Sequence, residues 1–473
     1  MKLDLRRFVQ ATNPANTLFV ENPEQDKKYY IDFSSVRGGQ IIDELRDNIT
    51  LWSADAPTCQ LFTGHIGCGK STELLRLKAE LEQEGFHVVY FVSDQDLEMS
   101  DVDVSDILLA IARRVSESIE KLKVDEPRNP KDIIKKVGKL LQTEIELSAE
   151  STIPGVGKVG VNIDEDFKFE VGIPGIGEVT VDSKEGVSLV APLIGKIAAK
   201  AKASPEFRSK LRERLEPRTA GILEAINSEL LVPAQEELKQ HGKKGLVVIV
   251  DNLDKIDNSA KTWGRSQSEY LFVDRGEQLR KLKCHLIYTM PVALRFSNDI
   301  ETLKQRFIQG PKVLPMVPVR FRDGSECSEG MALLREMVLA RAFPDLAPEQ
   351  RLQQITEIFD GSETFNRLCQ VSGGHVRNLL RLLNESIKKE RGLPVSRKSL
   401  EETIRAYRND LVLVIDSDEW ELLRQVMRDK KVAGDDRYKT LIRSMFVYEY
   451  YYSQDNWFDL NPILADAEEL KNE

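Results

Sequence analysis

One stretch restricts the possible folds of this chain more than any other: Thr-Cys-Gln-Leu-Phe-Thr-Gly-His-Ile-Gly-Cys-Gly-Lys-Ser-Thr, residues 58–72. The apolar run 59–63 predicts a short buried strand. Gly64, His65, Ile66, Gly67, Cys68, Gly69, Lys70 and Ser71 predict a glycine loop, and a helix is expected from about Thr72. The pattern G-x-x-x-x-G-K-[ST] between a strand and a helix is that of a phosphate-binding loop. Its glycines let successive backbone N–H groups turn inward, and the helix N-terminus adds a dipole that favours anions. With 28 glycines in 473 residues, an accidental match is expected roughly 0.01 times in such a chain. Lys70 would bring a point charge to the β and γ phosphates, and the Ser71 hydroxyl would be a ligand of Mg²⁺.

A chain of 473 residues has material for two to four domains. The net charge of -10 argues against a protein that coats nucleic acid generally, while leaving room for a local basic face. The five cysteines, Cys59, Cys68, Cys284, Cys327 and Cys369, contain no C-x-x-C pair. That fits reduced thiols and supplies no thiolate metal site. No apolar run approaches a membrane span and the N-terminal segment lacks a signal-peptide core, so a soluble cytoplasmic protein is expected.

Composition and periodicity divide the chain into an N-terminal extension (1–34), an α/β core in two pieces (35–124 and 205–322), an insertion (125–204), a helical domain (323–410) and a C-terminal domain (411–473). The run 86–92, Phe-His-Val-Val-Tyr-Phe-Val, predicts a second buried strand, and 105–123 a helix. In the insertion, alternation at 158–163 and 167–171, and a repeat relating 153–162 to 173–182, predict glycine-turned β-hairpins in a protruding arm. Residues 186–203 predict a packing helix. The run 245–251 ends in Asp251 and predicts a central parallel strand beside the phosphate-loop strand, with its acid placed to hold Mg²⁺. Cys284 to Thr289 predicts a further strand, and 314–319 an edge strand weakened by prolines. The tail predicts helix, turn, helix and a hairpin turning at 453–456.

These motifs together resemble the AAA+/STAND superfamily of phosphate-loop ATPases over roughly 36–466. Asn252 stands where ring-forming members carry a catalytic glutamate, and Asp251 with Asp254 resembles the spaced acids of the STAND and KAP groups. The resemblance implies a parallel sheet with helices on both faces, a helical lid and a winged-helix-like C-terminal domain. It implies ATP and Mg²⁺ as ligands, with modest turnover if Asp254 is the base that polarises water. Thr289, with Tyr288 as alternative, would sense the γ-phosphate from the strand beside the phosphate loop. Arg377, on a helix launched by Gly373-Gly374, resembles the lid arginine of origin-recognition-type members. Val36 and Arg37 would contribute to the base pocket, and Arg295 or Arg306 could reach a neighbouring subunit's nucleotide. The implied function is an ATP-driven switch in signalling or defence, with a nucleotide-dependent homo-oligomer and a protein partner as expectations. The alternatives are a DNA-acting ATPase using the winged helix and a nucleotide-binding scaffold with little turnover. Between 418 and 446 seven basic residues (Arg424, Arg428, Lys430, Lys431, Arg437, Lys439, Arg443) face six acids, less surplus than a DNA reader normally shows.

Overall fold

The computed structural model describes residues 3–18, 27–122, 168–173, 177–182, parts of 202–212, 219–258, 260, 264–434 and 436–471. Its strands are β1 (Cys59–Gly64), β2 (His87–Val92), β3 (Lys168–Ile173), β4 (Gly177–Asp182), β5 (Leu246–Asp251), β6 (His285–Met290), β7 (Lys312–Leu314), β8 (Val447–Tyr452) and β9 (Asp455–Leu460). Five of them form one parallel sheet in the order β2-β5-β6-β1-β7. Every residue of β5 and of β6 is buried, as a sheet covered by helices on both faces requires. The fold is therefore an α/β parallel sheet with flanking helices, as the sequence pattern predicts.

One expectation about strand order is corrected. β5 is not beside β1, because β6 lies between them, pairing Phe62 with Thr289 on one side and Val248 with Leu286 on the other. Two equally apolar runs compete for the place next to β1, and periodicity cannot rank them.

The helices that build the site are α1 (Leu5–Ala11), α2 (Ile41–Thr50), α3 (Lys70–Gln83), α4 (Val104–Leu122), α5 (Ser328–Ala342), α6 (Ser362–Ser372), α7 (Val376–Glu390), α8 (Arg397–Val412), α9 (Ser417–Asp429) and α10 (Asp436–Arg443). α4 covers one face of the sheet, burying Ile107, Leu108, Ile111 and Val115 with Phe91, Val248 and Leu286. α2 and α3 cover the other, burying Leu45, Ile49, Leu74 and Leu77 with Phe62, Val247 and Ile287.

The helices α5 to α8, where the lid is expected, have their own core, and the N-terminal segment belongs to it. Phe8, Phe33 and Val36 lie in one cluster with Met337, Leu379 and Leu383. Polar bonds sew the same seam: Arg341 donates through Nε to the Ala11 carbonyl at 3.1 Å, and Asn384 Nδ2 to that of Val9 at 3.0 Å.

α9, α10 and the β8–β9 hairpin follow in the expected order, with Ser453 and Gln454 in left-handed conformation forming a turn tighter than the sequence suggested. Unexpectedly, the hairpin is welded to the α/β core. Tyr448, Tyr450 and Trp457 bury themselves in the cluster of Phe62 and Leu74, and the Met316 N–H donates to the Glu449 carbonyl at 2.9 Å. β8 thereby extends the edge beyond β7 by a parallel bridge, Met316 to Tyr450.

In the insertion, β3 and β4 pair antiparallel from Lys168–Asp182 to Ile173–Gly177. The strand expected at 158–163, the first copy of the repeat and most of the helix expected at 186–203 lie outside the described residues. Among the described residues no helix is long and apolar enough to cross a membrane.

Candidate functional site

β1 delivers the chain into the loop and α3 takes it out, the helix starting at Lys70 rather than Thr72. Gly64, Gly67 and Gly69 hold φ of 155°, 84° and 106°, conformations a side chain resists. At Gly64 and Gly67 crowding adds to this. A Cβ at Gly64 would lie 2.5 Å from the Leu314 carbonyl oxygen, and one at Gly67 would lie 2.9 Å from Arg377 and His375. Cys68 is buried against β7, its thiol 3.7 Å from the Leu314 carbonyl.

Lys70 lies at the centre. Its ammonium donates to the carbonyls of Gly64 at 2.8 Å and His65 at 2.9 Å, and pairs with Asp254 Oδ2 at 2.9 Å. Burial alone would push this amine down; the Asp254 carboxylate, with Asp251 behind it, outweighs that and holds it above its usual range. The second oxygen of Asp254, Oδ1, is buried without a hydrogen-bond partner.

Asp251 ends β5 as predicted. Tyr90 Oη on β2 donates to its Oδ2 at 2.7 Å and the Asn252 N–H to its Oδ1 at 2.7 Å. Burial raises its carboxyl above the usual range, the Asp254 charge adds to this, and bonds to Ser71, Tyr90 and Asn252 oppose it. Asp251 and Ser71 thus meet, which brings two hard oxygen ligands together at the first turn of α3. Asn252 takes the left-handed region, φ 65°, and its side-chain amide donates to Asp94 at 3.0 Å.

A cleft of about 100 Å³ runs along this loop. Its walls are Ile66 to Glu73, Asn252, Asp254 and Lys255 from the core, Met337, Arg341, Val376, Arg377 and Leu380 from the lid, and Tyr29, Tyr30, Ile31 and Phe33 from the N-terminal segment. The lid presses directly on the loop. His375 caps α7 by accepting the Asn378 N–H at Nδ1, so its proton sits on Nε2, which donates to the Ile66 carbonyl at 2.7 Å. The Arg377 N–H donates to the Gly67 carbonyl at 3.2 Å.

The C-terminal hairpin reaches the loop as well. The Glu449 N–H donates to His65 Nε2 at 3.0 Å, and Tyr448 lies edge-on to His65 and stacked on His375, each with ring centres 5.8 Å apart. Burial, reinforced by neighbouring charge, pushes both histidines down to about 3. They are neutral packing elements at physiological pH.

Of the residues nominated from sequence, the structure brings Gly67 to Thr72, Ile66, Asp254, Arg37 and Arg377 to the cleft. Val36 is not there; it is fully buried in the lid core because its apolar side chain joins Phe33. Arg37 touches the cleft as a brace, donating to the carbonyls of Pro315 and Cys68, both at 2.8 Å. Thr289 does not reach the cleft: it is fully buried and donates across the sheet to the Val250 carbonyl at 3.4 Å. Tyr288 is likewise buried, donating to the Leu279 carbonyl. Arg295 is held inside the chain by Glu449 at 2.6 Å, and Arg306 lies on the helix Ile300–Phe307 beside Gly276. Neither lines the cleft.

Sequence reasoning missed Tyr90, whose polar tip within an apolar strand was a usable signal. It also missed His375 and the apolar wall of Tyr30, Met337 and Leu380, for which no local pattern exists.

The residues fit a magnesium nucleotide. The loop offers N–H groups at a helix start, and Ser71 with Asp251 offers the one or two protein oxygens that Mg²⁺ takes beside phosphates and water. Among the described residues no cluster of three or more acids, histidines or cysteines could hold a metal unaided.

No protein-family model and no curated protein matches the chain. Among solved structures, it is similar to the ORC2 protein of Aeropyrum pernix in its ADPNP–ADP complexes, with 12% identity, coverage of 99% of this chain and 96% of that one, and a TM-score of 0.39. The Walker-type ATPase of Pyrococcus abyssi follows with 11% identity, coverage of 94% and 99%, and a TM-score of 0.38. Cdc6p of Pyrobaculum aerophilum has 11% identity, coverage of 94% and 97%, and a TM-score of 0.34.

Proposed function

We propose that the protein binds ATP with Mg²⁺ along the loop 64–72, hydrolyses it slowly, and passes the nucleotide state to the lid and the C-terminal hairpin. The observation that carries this is the buried ammonium of Lys70, set at a helix start between three loop glycines and two acids. Few structures other than a phosphate cradle have use for a buried lysine so placed.

The loop N–H groups and Lys70 bind the phosphates. The base packs between Tyr30, Phe33, Met337 and Leu380, an apolar slot joining the lid and the N-terminal segment. Mg²⁺, held by Ser71 and Asp251, would neutralise charge on the phosphate oxygens. In hydrolysis the water oxygen bonds to the terminal phosphorus as the bond to the bridging oxygen breaks. Asp254, released when the phosphates take over Lys70, accepts the water proton on its free oxygen. Asn252 lacks the basicity to do this and instead ties the loop to Asp94.

Small-molecule pockets usually run from about 300 Å³ upwards, so a cleft of about 100 Å³ must widen to admit ATP. The parts that would move are the lid and the N-terminal segment sharing its core, and the bonds they would strain are those from His375 and Arg377 to the loop. This makes the protein a switch: nucleotide entry works against lid contacts made on the cradle itself. A role in signalling or defence fits such a switch.

Calorimetric titration with ATP and with ADP in magnesium buffer tests the reading. Wild-type protein binds both and Lys70→Ala binds neither; a folded wild type giving no heat with either nucleotide would end it.

A further inference from the structure

A second, larger cavity of about 380 Å³ lies on the far side of the loop from the lid. It shares Ile66, Asp254 and Lys255 with the nucleotide cleft. Its remaining walls come from the loop (Gly64, His65), the segment 256–258, Pro291 to Ala293, and the C-terminal domain through Ile442, Arg443 and Met445. The two spaces meet at Asp254, whose Oδ2 is 2.9 Å from the Lys70 ammonium. Lys70 is the charge that serves the β and γ phosphates, so the cavity opens where the terminal phosphate would lie.

The charged residues that line this cavity are Asp254, Lys255, Asp257 and Arg443. Lys70 is answered by Asp254, and Lys255 by Asp94 at 3.5 Å. Arg295, the nearest core arginine in sequence, is bound to the buried Glu449. Arg443 has no hydrogen-bond or ion-pair partner among the described residues, yet it lines this cavity. Its position is fixed by what surrounds it. Leu441 and Ile442 are fully buried and Phe446 nearly so, the Ser444 N–H closes the helix on the Thr440 carbonyl at 2.8 Å, and Met445 turns with φ 64°. The end of α10 is thereby clamped against 292–296 beside the loop, with the guanidinium the adaptable part.

We propose that Arg443 is a terminal-phosphate ligand supplied in cis by the C-terminal domain, entering from the side of the cradle opposite Arg377. A guanidinium offers a planar fork suited to two phosphate oxygens and stays charged at any working pH. Placed there, it meets charge that ATP has and ADP lacks, and it stabilises the charge that develops in phosphoryl transfer. It also makes the C-terminal domain a reader of the terminal phosphate. This assignment rests on the nucleotide reading above.

The test uses the full chain. Wild type, Arg443→Ala, Arg443→Gln and, as a control on the same helix, Arg437→Ala are titrated with ADP and with a non-hydrolysable ATP analogue in magnesium buffer, and steady-state hydrolysis is measured. Arg443 is exposed, so both variants should fold, which thermal melting checks. The expected result for each Arg443 variant is unchanged ADP affinity, a roughly 10- to 100-fold loss for the ATP analogue, and a fall in kcat on the order of 10³-fold. Arg437→Ala should match wild type. An unchanged ratio of ATP-analogue to ADP affinity in the Arg443 variants overturns the assignment while leaving the nucleotide site intact, and so does an equal loss for both nucleotides. A wild type that binds neither nucleotide fails the underlying reading instead.

Discussion

Replacing Asp254 by asparagine separates two roles that the geometry assigns to one carboxylate. Oδ2 is 2.9 Å from the Lys70 ammonium, with the two side chains only 5% and 4% exposed. At that separation and an effective dielectric of about 20, the gross attraction is roughly 6 kcal/mol. Desolvation of two buried ions removes several kcal/mol of it, leaving on the order of 1–3 kcal/mol with which the phosphates must compete. Asp254→Asn removes the competition at nearly constant volume. ATP should therefore bind more tightly by roughly 5- to 150-fold, because Lys70 no longer has to leave a partner. The same change deletes the proton acceptor, so kcat should fall by about 10²- to 10⁴-fold. Calorimetry gives the first quantity and phosphate release under saturating ATP the second. Weaker ATP binding in the variant would refute the competition argument, and an undiminished kcat would refute the base assignment, each independently of the other.

Three further outcomes follow from the packing around the loop. His65 and His375 hold folded values near 3 against an ordinary 6.5, so between those limits the unfolded chain binds more protons and stability falls on acidification. At pH 5.5 the pair should cost roughly 3 kcal/mol relative to pH 8; His375→Asn should flatten the slope of melting temperature against pH, and a wild-type curve level across that range would contradict the burial argument. Gly374→Ala would set a Cβ 1.6 Å from the Val317 carbonyl oxygen at φ 73°, so denaturant melts should show a loss of at least about 4 kcal/mol, or no folded protein. Arg295→Met strands the carboxylate of Glu449, which is 2% exposed, and should cost about 3–5 kcal/mol by urea denaturation; Asn456, which also donates to Glu449 at 3.1 Å, places the value toward the lower end. The double variant Arg295→Met/Glu449→Gln should recover most of that loss, and a double variant as unstable as the single would show that the ion pair is not the cause.

Local chemistry alone determined the cradle. A buried strand, glycines where the backbone must turn through positive φ, and a lysine followed by a serine at a helix start all depend on neighbours in sequence, so loop 64–71 and the ends of β5 and α7 were legible without a structure. The places of Asp251 at the end of β5 and of Arg377 in the first turn of α7 were legible in the same way, each attached to a local pattern of apolar run or glycine turn. Strand order was not legible, because β5 and β6 carry the same buried character and only packing chooses which adjoins β1. Thr289 misled for a related reason: its neighbour Met290 is equally buried, and whether a hydroxyl faces the cleft or the next strand depends on the sheet's register. The tertiary structure alone decided that the N-terminal segment completes the lid and that Glu449 and Tyr448 reach His65 across nearly four hundred residues. It also decided that Arg443 lines a cavity whose walls include Gly64, His65 and Asp254. Such contacts join surfaces whose complementarity exists only after each has folded, so no window of the chain contains them.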